Sequence, residues 1–105
     1  MAEAMKIRAT LKGDVADVRI LIMHPMETGQ RKIEQGNLVP AHFITNVTVA
    51  QNGKPVFSAD WSQAVSRNPF LGLRVKGAKL GDKITVTWVD NKGEKRSDEV
   101  AVSAS

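Results

Sequence analysis

From Met5 onward, apolar residues recur at every second position in one short stretch after another. No stretch repeats them over a long run at the 3.6-residue spacing of an amphipathic helix. The alternation constrains the chain to half-buried strands, each with one face on a core and the other in water. Ile7, Ala9 and Leu11 share one face of the first stretch, with Lys6, Arg8 and Thr10 on the other. Gly13-Asp14 marks a turn, and Val15 to Met23 follows with Val18, Ile20 and Ile22 in phase. The two stretches predict a hairpin.

The same pattern continues beyond residue 42. Phe43 to Ala50 alternates through Phe43, Thr45, Val47 and Val49. Asn52-Gly53 then supplies a hairpin signal, because both central residues of a type I′ turn need positive φ. Pro55 to Trp61 is the returning strand, and a proline near its start suits a sheet edge. Leu71, Leu73 and Val75 define the next strand; Ile84, Val86 and Trp88 define another; Val100 and Val102 close the pattern. A chain of 105 residues fits one domain. The expected fold is all-β, an immunoglobulin-like antiparallel β-sandwich of about seven strands spanning residues 1–105. An OB-type barrel would use fewer strands.

Composition narrows the chemistry. The chain has no cysteine, which removes disulfides, thiolate metal sites and thiol nucleophiles together. None of its serines lies in a G-x-S-x-G setting. Met1 to Lys12 holds no apolar core of a secretory signal, so no signal peptide is expected. No stretch approaches the roughly 20 apolar residues of a membrane helix. With 15 basic and 11 acidic side chains the net charge is +4, which suits an anionic substrate or an acidic partner.

Three stretches could carry chemistry. Met23-His24-Pro25-Met26 offers thioether and imidazole, ligands that suit copper. Its crowding reads better as a strand-end histidine between core methionines. Arg67, Arg74, Lys76, Lys79 and Lys83 form a basic run that could track single-stranded nucleic acid. However, Phe43, Phe57 and Trp88 read as core rather than as stacking platforms, so a solvated face is the better account. Asp90 with Glu94, and Asp98-Glu99, interleave with Lys92, Lys95 and Arg96 and read as surface ion pairs.

One segment breaks the alternation. Residues 24–41 exceed the roughly 12–15 residues usual for a loop in a compact domain. Gln35-Gly36-Asn37 could turn a small hairpin pairing Lys32–Glu34 with Leu38–Pro40, making the segment an ordered arm.

This segment also carries a resemblance. His24-Pro25-Met26-Glu27-Thr28-Gly29, then Arg31-Lys32, then Pro40-Ala41-His42-Phe43-Ile44 resemble the SoxZ family, the small subunits of the SoxYZ sulfur carrier of bacterial thiosulfate oxidation. The likeness continues in Asn52-Gly53-Lys54, in Ser66-Arg67-Asn68-Pro69-Phe70, and in Gly81-Asp82-Lys83-Ile84 through Trp88-Val89-Asp90-Asn91-Lys92-Gly93. It covers nearly the whole chain in order, departing around Ile33 to Asn37.

The resemblance implies an immunoglobulin-like sandwich with no catalytic residue, cofactor or metal. It implies a heterodimer with a SoxY-type subunit whose cysteine near a flexible C-terminus holds the sulfur intermediate. Other Sox enzymes would touch the complex transiently, and neither nucleic acid nor membrane is an expected partner. A periplasmic location would follow from export with the partner. A homo-oligomer of the isolated chain is left open. The residues expected to meet a partner are His24, Pro25, Met26, Arg31, Leu38, Val39, Pro40, Arg67 and Phe70. The apolar members among them lie where a monomer would want polar side chains, and the charges would steer association.

Overall fold

The computed structural model describes residues 3–30, 32, 36–62, 65 and 67–104. Eight strands follow one another: β1 (Lys6–Lys12), β2 (Val15–Leu21), β3 (Ile44–Gln51), β4 (Lys54–Asp60), β5 (Phe70–Lys76), β6 (Lys83–Asp90), β7 (Lys95–Ala101) and the short β8 (Ser103–Ala104). They form two four-stranded sheets, ordered β5-β2-β1-β8 and β4-β3-β6-β7. Every pairing is antiparallel except the two-residue parallel ladder of β1 with β8. The first, second and fifth strands share one sheet and the third, sixth and seventh the other, so the fold is the expected β-sandwich.

The alternating residues meet between the sheets. Val18, Ile20 and Ile22 from one side and Val47, Val49, Ile84, Val86 and Trp88 from the other are essentially fully buried. Each aliphatic side chain so buried contributes about 1.5–3 kcal/mol. Asn52 and Gly53 both have positive φ, at 50° and 83°, as the β3–β4 hairpin requires. Pro55 lies on β4, an edge strand, where its missing N–H leaves no ladder bond unmade.

Three details differ from the alternation. Ile44, rather than Phe43 and Thr45, enters the core, because the β3–β6 register shifts between Ile44 and Asn46. A bulge inserts one residue and resets which side chains face inward. The strand ending at Met23 stops at Leu21, although backbone bonding continues: Ile22 N–H donates to the Pro69 carbonyl at 2.9 Å. The last strand is divided at Val102. Its N–H donates to the Asp82 carbonyl at 2.8 Å and its carbonyl accepts from Gly81 at 3.0 Å. That clamp turns the chain from the β7 sheet onto the β1 sheet.

The molecule measures 55 × 22 × 21 Å, with a radius of gyration of 15.6 Å. A compact domain of this length has about 13 Å, and an eight-residue strand spans about 27 Å. The connecting segments therefore carry the molecule well beyond its sheets. The principal one lies between β2 and β3.

Candidate functional site

The segment between β2 and β3 is pinched at its root. Glu27 and His42 form an isolated antiparallel bridge, with bonds of 2.6 and 3.0 Å between their backbones. Gly29 has φ +85°, a region that glycine alone enters easily, and a Cβ there would stand 3.1 Å from the Ala41 Cβ. The outgoing and returning strands of the arm are thus in contact. Farther out, Lys32 bridges Leu38, a rung of the expected small hairpin. Ile33 and Glu34 of its outgoing side and the Gln35 of its turn lie outside the described residues.

Below this root stands a cluster that joins distant parts of the chain. Asp90, at the end of β6, is 3 % exposed, and so is His24. His24 Nε2 lies 3.1 Å from Asp90 Oδ2, and His42 Nε2 lies 2.7 Å from the same oxygen. Asp90 Oδ1 accepts the Lys92 and Glu94 amides at 3.0 and 2.8 Å. The carboxylate thus takes four donors and has no lone pair to spare. Asn68 accepts from the His24 amide at 3.0 Å. Asn91 accepts from the Phe43 amide at 2.8 Å and donates to the Ala41 carbonyl at 2.9 Å.

The tautomer of His24 follows from its neighbours. The Met26 amide donates to His24 Nδ1 at 3.1 Å, so the ring proton sits on Nε2 and is given to Asp90. Burial is the largest influence on the His24 imidazole and, with the nearby His42, lowers its pKa against the raising effect of Asp90. Burial acts to raise the Asp90 carboxyl. Hydrogen bonds from His24, His42, Glu94 and Lys92 outweigh it and hold Asp90 below the usual carboxylate range. A neutral His24 therefore donates to an ionised Asp90.

The cluster borders a cleft of about 350 Å³ lined by Glu3, Met23, His24, Pro25, His42, Asn68, Trp88 and Glu94. His24 packs edge-on against Trp88, ring centres 5.1 Å apart, and against His42 at 4.4 Å. One ligand atom from each of His24, His42 and Asp90 lies within 4.8 Å of the others, a spacing that a metal ion can bridge. The donor set does not suit one. A metal on His24 Nε2 would move the ring proton to Nδ1, where it would face the Met26 N–H. The Met26 thioether is also engaged, accepting from the Ile44 amide at 3.4 Å. The arrangement reads as a hydrogen-bonded clasp, and the copper alternative loses its imidazole.

The other expected site residues are scattered in exposure. His24 and Met26 are buried beneath the surface, so neither presents its side chain to a partner directly. Pro25, Pro40 and Arg67 are exposed and Val39 is half-buried. Leu38 is 56 % and Phe70 63 % exposed. Arg31 lies outside the described residues. Asp98 does form the expected surface ion pair, with Arg96 at 2.9 Å. Asp90 does not: it is the buried hub. Asp90 falls in phase with Ile84, Val86 and Trp88, so the alternation extends to it, but a carboxylate at the mouth of a polar turn reads as a solvated strand end. Two signals were available: His24 continues the inward phase of Val18, Ile20 and Ile22 as Asp90 does that of β6, and His24, His42, Asn68, Asp90 and Asn91 all fall within the blocks that carry the family resemblance.

Three solved structures share the fold. A hypothetical protein from Pyrococcus horikoshii OT3, PH1083, is 17% identical with a TM-score of 0.68, covering 97% of this chain and 89% of its own. A superoxide reductase in the oxidised state is 16% identical with a TM-score of 0.65 and the same coverage. A superoxide reductase (neelaredoxin) from Archaeoglobus fulgidus is 16% identical with a TM-score of 0.60, covering 97% and 90%. At such identities the likeness is one of fold alone. No curated protein matches the sequence. The family model described as sulphur oxidation protein SoxZ matches residues 5–101. With nearly its whole length so matched, the chain belongs to the SoxZ family.

Proposed function

We propose that the chain is the non-catalytic subunit of a SoxYZ-type carrier, binding and supporting a SoxY-type subunit whose cysteine holds the sulfur intermediate. Family membership gives it a role in the Sox system of sulfur oxidation, and that match is the observation that carries the reading. The sequence has no cysteine, so the sulfur must be held by another chain. Leu38, Val39, Pro40 and Phe70, with Pro25 and Arg67, are the residues offered to the partner. An apolar side chain left more than half exposed fits a surface that is covered in an assembly. The clasp beneath would hold the arm in place at little entropic cost to binding. The complex is periplasmic in this reading, exported with the partner, and meets further Sox enzymes only transiently.

Purification of the tagged chain from its native cells, with intact mass measured on whatever accompanies it, tests this. The expected result is a stoichiometric partner with a cysteine near its C-terminus and a population carrying added sulfur mass. A preparation of this chain alone, or with a partner that has no such cysteine, would overturn the reading.

A further inference from the structure

The net charge of the protein is concentrated on one sheet face. On the outer face of the first sheet, register places residues in four rows across β1, β2 and β5: Lys6–Leu21–Phe70, Arg8–Arg19–Gly72, Thr10–Asp17–Arg74 and Lys12–Val15–Lys76. Lys6, Arg8, Lys12, Arg19, Arg74 and Lys76 are all exposed. With Asp17 as the one carboxylate, these rows hold six cations against one anion, a formal +5. The whole chain is +4, so everything else together is −1.

This face is not arranged for stability. Arg8 stands directly opposite Arg19, and like charges facing each other across strands are destabilising. Asp17 relieves only part of it, at 3.5 Å from Arg19 and 4.0 Å from Lys12. Among the described residues Lys6, Arg8, Arg74 and Lys76 have no ion pair. A local rule broken without compensation within the fold points to a use outside it. At one corner Leu21 and Phe70 form an apolar pair beside Lys6. The Phe70 ring reaches over Gly72, where an added Cβ would meet it at 3.5 Å.

We infer that this face is a docking surface for an acidic protein, engaged through Arg8, Arg19, Arg74 and Lys76, with Phe70 at its corner left to the pairing proposed above. Its depressions are lined by residues of β1, β2 and β5 alone, so nothing closes over a small anion. Nucleic acid is disfavoured because single-strand grooves interleave cations with several stacking aromatics, and this face has one, at its corner. A flat face rich in arginine, here Arg8, Arg19 and Arg74, instead suits a protein surface of opposite charge. A second copy is disfavoured as occupant: the same face would repel itself, and the rest of the chain, at −1 in sum, offers it little attraction. Contacts of this kind mainly accelerate association and loosen as salt rises.

The test uses poly-L-glutamate as an acidic polypeptide and oligothymidylate of matched charge as the rival probe. Both are titrated against the full chain at low salt while backbone amide shifts are recorded. Poly-L-glutamate is expected to perturb β1, β2 and β5. Arg8→Gln with Arg19→Gln should weaken it about tenfold, and Lys83→Gln with Lys95→Gln, the same charge loss on the other sheet, only about two- to threefold. The first pair should also raise the Tm by about 1–5 °C, since it removes a facing repulsion. Equal losses in the two double variants would overturn the inference, as would tighter binding of oligothymidylate or an unchanged or lower Tm. Repeating the titration on the complex in which the chain purifies separates this surface from the pairing proposed above. Retained binding supports a second docking face; lost binding would make it the subunit interface and overturn the inference. If the chain purifies alone, the pairing fails and the titration still reads the face.

Discussion

His42 Nε2 and Asp90 Oδ2 lie 2.7 Å apart across 48 residues of sequence, and that bond ties the return of the arm to the β6–β7 turn. His24 reaches the same oxygen across 66 residues. One carboxylate thus anchors both ends of the arm while its other oxygen caps the turn that follows β6.

Removing that carboxylate should be among the most damaging single changes outside the hydrophobic core. Asp90→Ala orphans two imidazole N–H groups and two amides at once. A loss of about 3–5 kcal/mol is expected, since each buried donor left unpaired costs about 1–3 kcal/mol and several are left at once. Asp90→Asn, which keeps one acceptor, should lose about 1–3 kcal/mol. Urea unfolding checks both: the midpoint should fall in that order while the m-value stays constant.

Acidification should weaken the fold in two stages. His24 has a lowered pKa in the folded chain, so below about 6.5 the unfolded chain binds a proton that the folded chain resists. Stability from this source is present at neutral pH and is lost as pH falls from 6.5 toward the folded value. Asp90 is likewise lowered, and its contribution is lost as pH falls below the ordinary carboxylate range. Unfolding free energy measured between pH 8 and pH 3 should decline in both windows. His24→Gln should flatten the upper one; an unchanged slope there would contradict the lowered pKa of His24.

The root of the arm should tolerate no side chain at Gly29. Gly29→Ala meets both a left-handed backbone, φ +85°, and the Ala41 Cβ at 3.1 Å. Gly13→Ala meets a left-handed backbone, φ +66°, with nothing within 4 Å. The second should lose about 1 kcal/mol and the first about 1 kcal/mol more. Hydrogen exchange at the Glu27 and His42 amides should accelerate in Gly29→Ala alone.

The exposed end of the arm should matter to assembly and not to folding. Leu38 is 56 % exposed, so Leu38→Asp removes little buried area and should change stability by less than about 0.5 kcal/mol. Recovery of the co-purifying partner should drop by about tenfold or more if Leu38 sits in a desolvated contact. Melting temperature and partner yield, measured on the same preparations, separate the two effects.

What the sequence determined alone is the set of strands and their faces. Val18, Ile20 and Ile22, or Ile84, Val86 and Trp88, declare a buried face because side-chain direction on a strand has a period of two. Asn52-Gly53 declares its turn because few residues accept positive φ. The shift at Ile44 was hidden, since a bulge depends on the partner strand and not on the bulged one. Only the tertiary structure decided which distant residues meet. Asp90 continues the inward phase of Ile84, Val86 and Trp88, but a carboxylate beside Asn91, Lys92 and Gly93 finds its partners only in the folded chain. It is buried because strand order brings His24 and His42 over it, and burial is a property of neighbours. The charged face has the same origin. Lys6, Arg8 and Arg19 lie far along the chain from the basic run that holds Arg74 and Lys76, and the two groups become one surface because β5 crosses over to pair with β2.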